Sequence, residues 1–554
     1  MDAVKEILVT LYQNGIKIYL QDGKLKTKCV PGAITPEIGS QISAYKDDIV
    51  KLLFEGSDQT RALPGITPIE HSNGAPLSFS QQRLWIIDQL QGGSPEYNIS
   101  LAFRVRGTFN VDVAEAAIRN IVERHESLRT VYAEVKEGPI QRIQTSFDFK
   151  FKRYNLSELI ESEQKKRIQV LIEEEESQPF DLANDLMVRG SYLHLDGDSS
   201  NTHGIVLFNM HHIASDGWSI GVLVNEFVTY YETLLTGRAD PLKPLTIQYA
   251  DYAAWQRRWM DDSVLEKQLA YWSKQLDQVP TVHSLPLDTP RSDGKATAGA
   301  KVTGQFSIEL TRQLEKLARR HGVTMFMMLQ GILSLVLSRN SYSNDIVVGT
   351  PVANRTDALV EPLIGFFVNT LVLRTNTDWE TLEAYLQHVK QVNLDAQANQ
   401  DVPFEQLVDQ FISHKSLQYT PLFQIVFSMD TNEVGVLSLP GVKLEMVGSE
   451  YESCKFDLEI SASFSKRGIT FTWIYDKSIF NEQRVQQLQQ HLEVLTNNLV
   501  LNSSRPLKLQ QVLTKQEQKV LLQLGQGEQV AYDQTHCLHE MFEAQVQRHA
   551  DKVA

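Results

Sequence analysis

His211, His212 and Asp216, in the run His211-His-Ile-Ala-Ser-Asp-Gly-Trp-Ser219, are the residues whose types and spacing best suit proton transfer. Imidazole changes charge near neutral pH and can accept a proton from a reacting group. The pair follows an apolar run, Ile205 to Phe208, of the kind that forms a strand buried on both faces. Neighbouring side chains of a strand point to opposite faces, so one histidine can be chemical while the other packs. The same divergence makes them poor co-ligands, and no cysteine or further histidine stands nearby at ligand spacing, so no metal is expected. Gly217 is expected to allow a left-handed or close-approach backbone, so that the Asp216 carboxylate turns inward and braces the loop. The plainer alternative is two satisfied core histidines and a capping aspartate.

Behind the histidines, Leu223, Phe227, Tyr230 and Leu234 recur at intervals of four, three and four, which predicts a helix with one buried stripe. Ionisable groups between a buried strand and a helix are costly to place without a use. At 554 residues the chain exceeds one ordinary core and predicts several domains or lobes. Its 42% hydrophobic and 22% charged content is that of a soluble globular protein. A net charge of −15 argues against nucleic acid or an anionic membrane as partner. Cys29, Cys454 and Cys537 are too scattered for a disulfide framework and fit a reducing cytoplasm. Asp2 and Glu6 interrupt the first helix, so no signal peptide is expected. Met325 to Leu337 is too short to span a bilayer and contains Gln330; it predicts a buried core helix.

The first 55 residues read as a miniature of their own. Val4, Ile7, Leu8 and Leu11 form one helical stripe, and Ile38, Ile42, Tyr45, Ile49 and Leu52 another behind Thr35-Pro36. Between them, two alternating strands flank Asp22-Gly23, a hairpin turn pair. Lys24, Lys26 and Lys28 share one face of the return strand. This segment resembles the tubulysin-type N-terminal docking domains of peptide synthetases. The resemblance implies that an acidic C-terminal peptide of an upstream enzyme adds to the hairpin as a strand, selected by these lysines. Edge lysines also guard against sheet-to-sheet aggregation, and so thin a core would favour a weak dimer.

From Ser78-Phe-Ser-Gln-Gln-Arg-Leu-Trp85 onward, six motifs in order resemble those of nonribosomal peptide synthetase condensation domains. Arg124-His-Glu-Ser-Leu-Arg-Thr130, the His-His run, Tyr249-Ala-Asp-Tyr-Ala-Ala-Trp255, Ile364-Gly-Phe-Phe-Val-Asn-Thr370 and Asn399-Gln-Asp-Val-Pro-Phe-Glu405 complete the series. A seventh is degenerate: His414-Lys-Ser-Leu-Gln-Tyr-Thr-Pro-Leu422 lacks the family's Arg-Asp-x-Ser-Arg run. The resemblance implies an α/β (α+β) fold of two chloramphenicol-acetyltransferase-like lobes in a V-shaped pseudodimer, behind a small α-β-β-α docking domain. The layout expected is docking domain 1–56, linker 57–76, N-lobe 77–250, C-lobe 251–520, and 521–554 as linker and truncated start of an adenylation domain.

The resemblance also implies the chemistry. The α-amine of an aminoacyl thioester attacks a donor thioester, with both substrates on the 4'-phosphopantetheine arms of carrier proteins and no cofactor bound by this chain. His212 is the candidate general base or positioning group, His211 its packing neighbour, and Asp216 a brace paired with an arginine across the lobes. Arg355 is first choice as that arginine and Arg124 second. Gly217, Trp218 and Ser219 shape the loop, and Asn369 lies near the tunnel or satisfies a strand end. A cytoplasmic peptide-bond-forming enzyme joining two L-configured residues is the expectation. The alternatives are a non-catalytic carrier-recruiting module, or an epimerisation domain, whose second acid/base motif is missing here.

Overall fold

The computed structural model describes strands at 17–21 and 24–28 and then residues 65–71, 73–195, 202–260, 262–292, 298–412, 416, 418–430, 436–447, 454–527 and 535–553. The helices expected before residue 12 and after residue 35, the Asp22-Gly23 turn and Cys29 lie outside the described residues. The strands β1 (Lys17–Gln21) and β2 (Lys24–Lys28) pair antiparallel. Their register sets Lys24, Lys26 and Lys28 opposite Gln21, Tyr19 and Lys17.

Contacts divide the chain into two units, one gathering Ala353–Val368 and Val434–Val447 with the chain up to Leu269. Its elements are β3 (Ala75–Pro76), α1 (Phe79–Gln91), β4 (Asn98–Gly107), α2 (Val111–Arg124), β5 (Thr130–Val135), β6 (Gly138–Ile143), β7 (Lys152–Asn155), α3 (Glu161–Ser177), β8 (Val188–His194), β9 (Thr202–His211), α4 (Gly217–Thr236) and α5 (Tyr249–Trp259). The helix α6 (Asp262–Gln275) runs on into the second unit. The second unit continues with β10 (Gly299–Ser307), α7 (Ile308–His321), α8 (Met325–Ser341), β11 (Asp345–Val352), β12 (Asn369–Asn376), α9 (Leu382–Ala398), α10 (Phe404–Phe411) and β13 (Ile425–Asp430). The strands β14 (Val436–Leu439) and β15 (Val442–Met446) belong to the first unit. The second closes with β16 (Leu458–Ser465), β17 (Gly468–Asp476), α11 (Glu482–Leu501), α12 (Lys515–Leu524) and α13 (Leu538–Arg548).

The first unit's main sheet has the order β14-β15-β4-β9-β8-β7, with β9 antiparallel to both neighbours. Ile205, Val206, Leu207 and Phe208 are all at most 5% exposed, so this strand is covered on both faces. Val206, Phe208 and Met210 pack with α2 and α4, while Ile205 and Leu207 pack with Leu171 and Ile172 of α3. On α4, Leu223, Phe227 and Tyr230 are buried as the periodicity requires, but Leu234 is exposed and Tyr231 takes the buried place. Burial of α5 overrides the boundary expected at residue 250. Tyr249, Tyr252 and Trp255 cluster with Val360, Leu363 and Phe367, all inside the first unit. The end of the expected linker is also packed: Ile66 joins that cluster, and the Ile69 amide donates to Asp251 at 2.7 Å.

The second unit's sheet has the order β10-β17-β16-β13-β11-β12, parallel only where β13 meets β11 and β16. The apolar run from Met325 forms α8, with Met327 to Ser338 buried. Gln330 is tolerated there because its amide donates to Ser334 and Thr375, at 3.0 and 3.1 Å. Among the described residues no single helix is long and apolar enough to cross a membrane.

Candidate active site

The strand β9 ends at His211, and a single 3-10 turn, His212–Ala214, carries the chain to Asp216 at the N-cap of α4. His211 is 2% exposed, its ring against Phe180 and Tyr97, and its Nδ1 accepts the Ile213 amide at 3.1 Å. It caps the turn and packs. His212 is only partly buried, and its Nδ1 stands 2.9 Å from the Ser215 carbonyl oxygen. A carbonyl can only accept, so Nδ1 carries a proton, and in the neutral form of the ring Nε2 is the accepting nitrogen. That tautomer suits a proton acceptor.

Asp216 and Arg355 meet at 3.2 Å, each with a side chain 2% exposed. The Asp216 Oδ1 also accepts the Ser219 amide at 2.8 Å and lies 2.7 Å from the Ser219 hydroxyl, while Oδ2 accepts the Phe367 amide at 3.0 Å. Arg355 donates further to the Val360 and Leu363 carbonyls and lies 4.0 Å over the Phe367 ring. Burial draws the guanidinium's pKa down, against the opposing pull of Asp216. Both partners belong to the first unit, so the pair is internal to it and not the bridge across lobes expected from the sequence. The cause is the excursion of residues 353–368, which leaves β11 for the first unit before β12 begins.

Gly217 departs from its expected role. It is the first residue of α4, its φ lies outside the left-handed region, and a Cβ there would meet nothing within 4 Å. The bend comes instead from the 3-10 turn and from Asp216 in extended backbone at φ −142, ψ 179. Trp218 is 44% exposed and ties α4 to the excursion through its indole N–H, 2.9 Å from the Glu361 carbonyl. The Ser219 hydroxyl stands 2.9 Å from the Gly365 carbonyl and accepts the Gly365 amide at 3.1 Å.

Arg124 does not reach Asp216. It donates to Glu226 on α4 at 2.9 Å, and the same carboxylate holds His125 Nε2 at 2.8 Å. His125 Nδ1 accepts the Ile364 amide, so Nε2 is the donor nitrogen; burial pushes this pKa down, against the pull of Glu226. Ser127 completes the grip by donating to the Ile364 carbonyl at 2.7 Å. Glu226 was not singled out from the sequence, though a signal exists: it falls three residues after Leu223, a charge set in an apolar stripe. From the opening motif, Gln81 donates to the Ile213 carbonyl at 3.2 Å, supporting the His212 turn from behind. Tyr249 donates to the Phe366 carbonyl at 2.6 Å and keeps its proton, since burial raises its pKa well above normal.

Asn369 belongs to the second unit. Its amide donates to the Gln400 and Val402 carbonyls, and its Oδ1 accepts the Thr370 and Phe404 amides. It fastens the 400–404 loop to the start of β12, which is the strand-end alternative. Among the described residues no group of three His, Cys, Asp or Glu is placed to hold a metal ion.

Comparison with known proteins decides the family. Residues 71–522 match the Condensation domain family. The chain belongs to that family. Residues 4–55 match the TubC N-terminal docking domain. Malpibaldin synthetase of Mortierella alpina is 35% identical over 522 residues, covering 94% of this chain. The chain spans only 9% of that synthetase's length. Among solved structures, the X-domain from teicoplanin biosynthesis superposes with a TM-score of 0.72 at 23% identity, over 81% of this chain and 100% of that one. The first condensation domain of the calcium-dependent antibiotic synthetase, in complex with a substrate analogue, gives 0.65 at 18%, over 80% and 100%. These likenesses establish a condensation-domain fold, and the family's reaction is amide-forming acyl transfer.

Proposed function

We propose that this chain forms a peptide bond between a donor peptidyl or aminoacyl thioester and an acceptor aminoacyl thioester, each tethered to the phosphopantetheine arm of a carrier protein. The observation that carries the reading is the His212 tautomer, held by the Ser215 carbonyl on a loop whose brace, Asp216–Arg355, is buried. In this reading the acceptor α-amine, with a pKa of about 7.7–8.0, is already partly neutral. His212 Nε2 orients it and takes up its proton as the C–N bond forms, then passes that proton to the donor-arm sulfur, which leaves as the thiol when the C–S bond breaks. His211, Asp216, Arg355 and Ser219 keep the turn in place.

The N-terminal hairpin, in the same proposal, receives an acidic C-terminal peptide of an upstream synthetase through Lys24, Lys26 and Lys28. Single-turnover assay of the purified chain with a loaded donor and a loaded acceptor carrier protein tests the reading. Dipeptide should accumulate on the acceptor carrier protein. No product with intact, loaded carriers would reduce the chain to a recruiting module.

A further inference from the structure

His125 is buried, takes no part in the proton transfer proposed above, and holds a different element with each ring nitrogen. Nε2 meets Glu226 on α4 at 2.8 Å, and Nδ1 accepts the Ile364 amide of the excursion at 3.2 Å. Glu226 is already matched by Arg124 at 2.9 Å, so the carboxylate needs no second positive charge. Burial draws the His125 pKa down against the pull of Glu226, and the charges of Arg124 and Arg355 add to the fall. The ring is therefore neutral, and Nδ1 keeps the lone pair that the Ile364 amide uses.

The amide that His125 accepts belongs to the peptide group joining Leu363 to Ile364. The carbonyl of that same group accepts from Arg355 Nη1 at 2.7 Å, and Arg355 pairs with Asp216 through Nη2. A peptide group is planar, so its amide and its carbonyl turn together. The next group along is clamped in the same way. Its carbonyl, that of Ile364, accepts from Ser127 at 2.7 Å, and its amide, that of Gly365, donates to Ser219 at 3.1 Å. Each group is thus gripped by the 125–127 segment at one end and by the Asp216 cluster at the other. Asp216 and Ser219 open α4 directly behind the His212–Ala214 turn.

We propose that His125 is a positioning residue for the His212 loop: its Nδ1 sets the plane of the Leu363–Ile364 peptide group, whose carbonyl sets Arg355 against Asp216. The inference rests on the peptide-forming role proposed for His212. Without its acceptor the buried amide turns toward another partner, its carbonyl turns with it, and Arg355 shifts on Asp216. Misplacement of a catalytic group by about 1 Å can cost about 10²-fold in rate.

The test replaces one ring nitrogen at a time in the full chain. His125→Asn puts an amide oxygen near the place of Nδ1, keeping an acceptor for Ile364 while losing the reach to Glu226. His125→Gln does the reverse, reaching Glu226 and leaving the Ile364 amide bare. Both should lower the unfolding midpoint, since each removes one buried hydrogen bond. Only His125→Gln should lower kcat for peptide formation, by about tenfold or more, with KM for the acceptor carrier protein unchanged; His125→Asn should retain most of it. Hydrogen exchange read by mass spectrometry should quicken at residues 363–367 in His125→Gln far more than in His125→Asn. Equal kcat in the two variants, loss confined to KM, or equal exchange overturns the inference. In ¹⁵N spectra of histidine-labelled wild type, His125 should show a neutral ring protonated at Nε2. A proton on Nδ1 overturns the inference even where a variant fails to fold. If the wild type forms no peptide while exchange still separates the two variants, the positioning role stands and the peptide-forming reading fails.

Discussion

Each unit contains a buried aspartate joined to an arginine, with a histidine close by, and the two arrangements differ in how the histidine is held. In the second unit Asp457 takes Arg291 through both oxygens and His283 through Nε2 at 2.8 Å. His283 Nδ1 accepts the Leu285 amide at 3.1 Å, so its proton goes to the carboxylate and its lone pair to the backbone. In the first unit Asp216 holds the loop, and the backbone carbonyl of Ser215 sets the His212 tautomer. The aspartate–histidine dyad that looks more catalytic is a staple. The histidine whose Nδ1 is held by a carbonyl is the one whose Nε2 is in accepting form.

The largest effects should come from breaking that contrast at the histidines. His212→Ala should lower peptide formation by about 10²–10⁴-fold, the usual worth of a general acid–base group, with the fold retained. His283→Ala should leave peptide formation intact and lower the unfolding midpoint, because it strips a donor from a buried carboxylate. Single-turnover rates and urea unfolding of both variants decide the matter. Wild-type rates in His212→Ala, or a dead His283→Ala with normal stability, would reverse the assignment. His211→Ala should resemble His283→Ala, since His211 caps a turn and packs on Phe180.

The two ion pairs come next. Asp216→Asn leaves Arg355 buried without its counter-charge, at a cost of about 3–5 kcal/mol. Arg355→Met added to it should recover part of that loss, because the pair is then removed together. A cycle of urea-unfolding measurements gives the coupling, and strictly additive losses would mean that the two residues act separately. The same cycle on Asp457 and Arg291 should couple at least as strongly, given two contacts where Asp216 has one.

Local chemistry was legible and long-range docking was not. The double-faced burial of Ile205 to Phe208 follows from an uninterrupted apolar run, and Arg355 could be named as a partner of Asp216 from motif resemblance. The sequence carries no comparable signal for the excursion of 353–368, or for β15 joining the edge of β4, since partners hundreds of residues apart leave no local period. Misplacing the excursion is what turned an internal ion pair into an expected bridge. Gly217 shows the opposite error: a rule about glycine's freedom was applied where helical backbone needs none. Asn369 was legible as a strand end because an asparagine at a strand's first residue has both an acceptor and donors for the adjoining loop.

Acid should act on the second unit through Asp457 and Glu517. Burial pushes the Asp457 pKa up, but hydrogen bonds from His283 and Arg291 outweigh it and hold the carboxyl below its usual range. Burial pushes Glu517 up as well, but hydrogen bonds from Gln487, Thr514 and His491 bring it down to about 2. A carboxyl with a depressed folded pKa contributes stability that is present above its unfolded value, about 3.9 for Asp and about 4.3 for Glu. That contribution is lost as pH falls through the folded value, because the unfolded chain takes the proton first. Unfolding midpoints should therefore drop between about pH 4 and pH 2. In Asp457→Asn the drop should be shallower, with Glu517 supplying the remainder. An identical slope in the variant would mean that Asp457 is not held low.

Charges on the N-terminal hairpin give the smallest effects and the sharpest contrast with buried pairs. By the alternation of a strand, Lys24, Lys26 and Lys28 fall on one face of the return strand, so an added acidic strand would meet a row of like charges spaced two residues apart. Each ion pair to such a strand is worth about 0–1 kcal/mol, and main-chain ladder bonds supply the rest of the affinity. Binding of an acidic peptide should then be about micromolar at best. It should weaken with salt, since screening acts within about 8–10 Å, whereas the Asp216–Arg355 coupling should barely respond. Reversing the three lysines to glutamate should abolish peptide binding and transfer from an upstream enzyme, while condensation from a donor on an excised carrier protein persists. Titration calorimetry of the full chain with a carboxylate-rich peptide at low and high salt reads both outcomes. Equal affinity at the two salt concentrations, or in the reversed variant, would leave these lysines as protection of a strand edge.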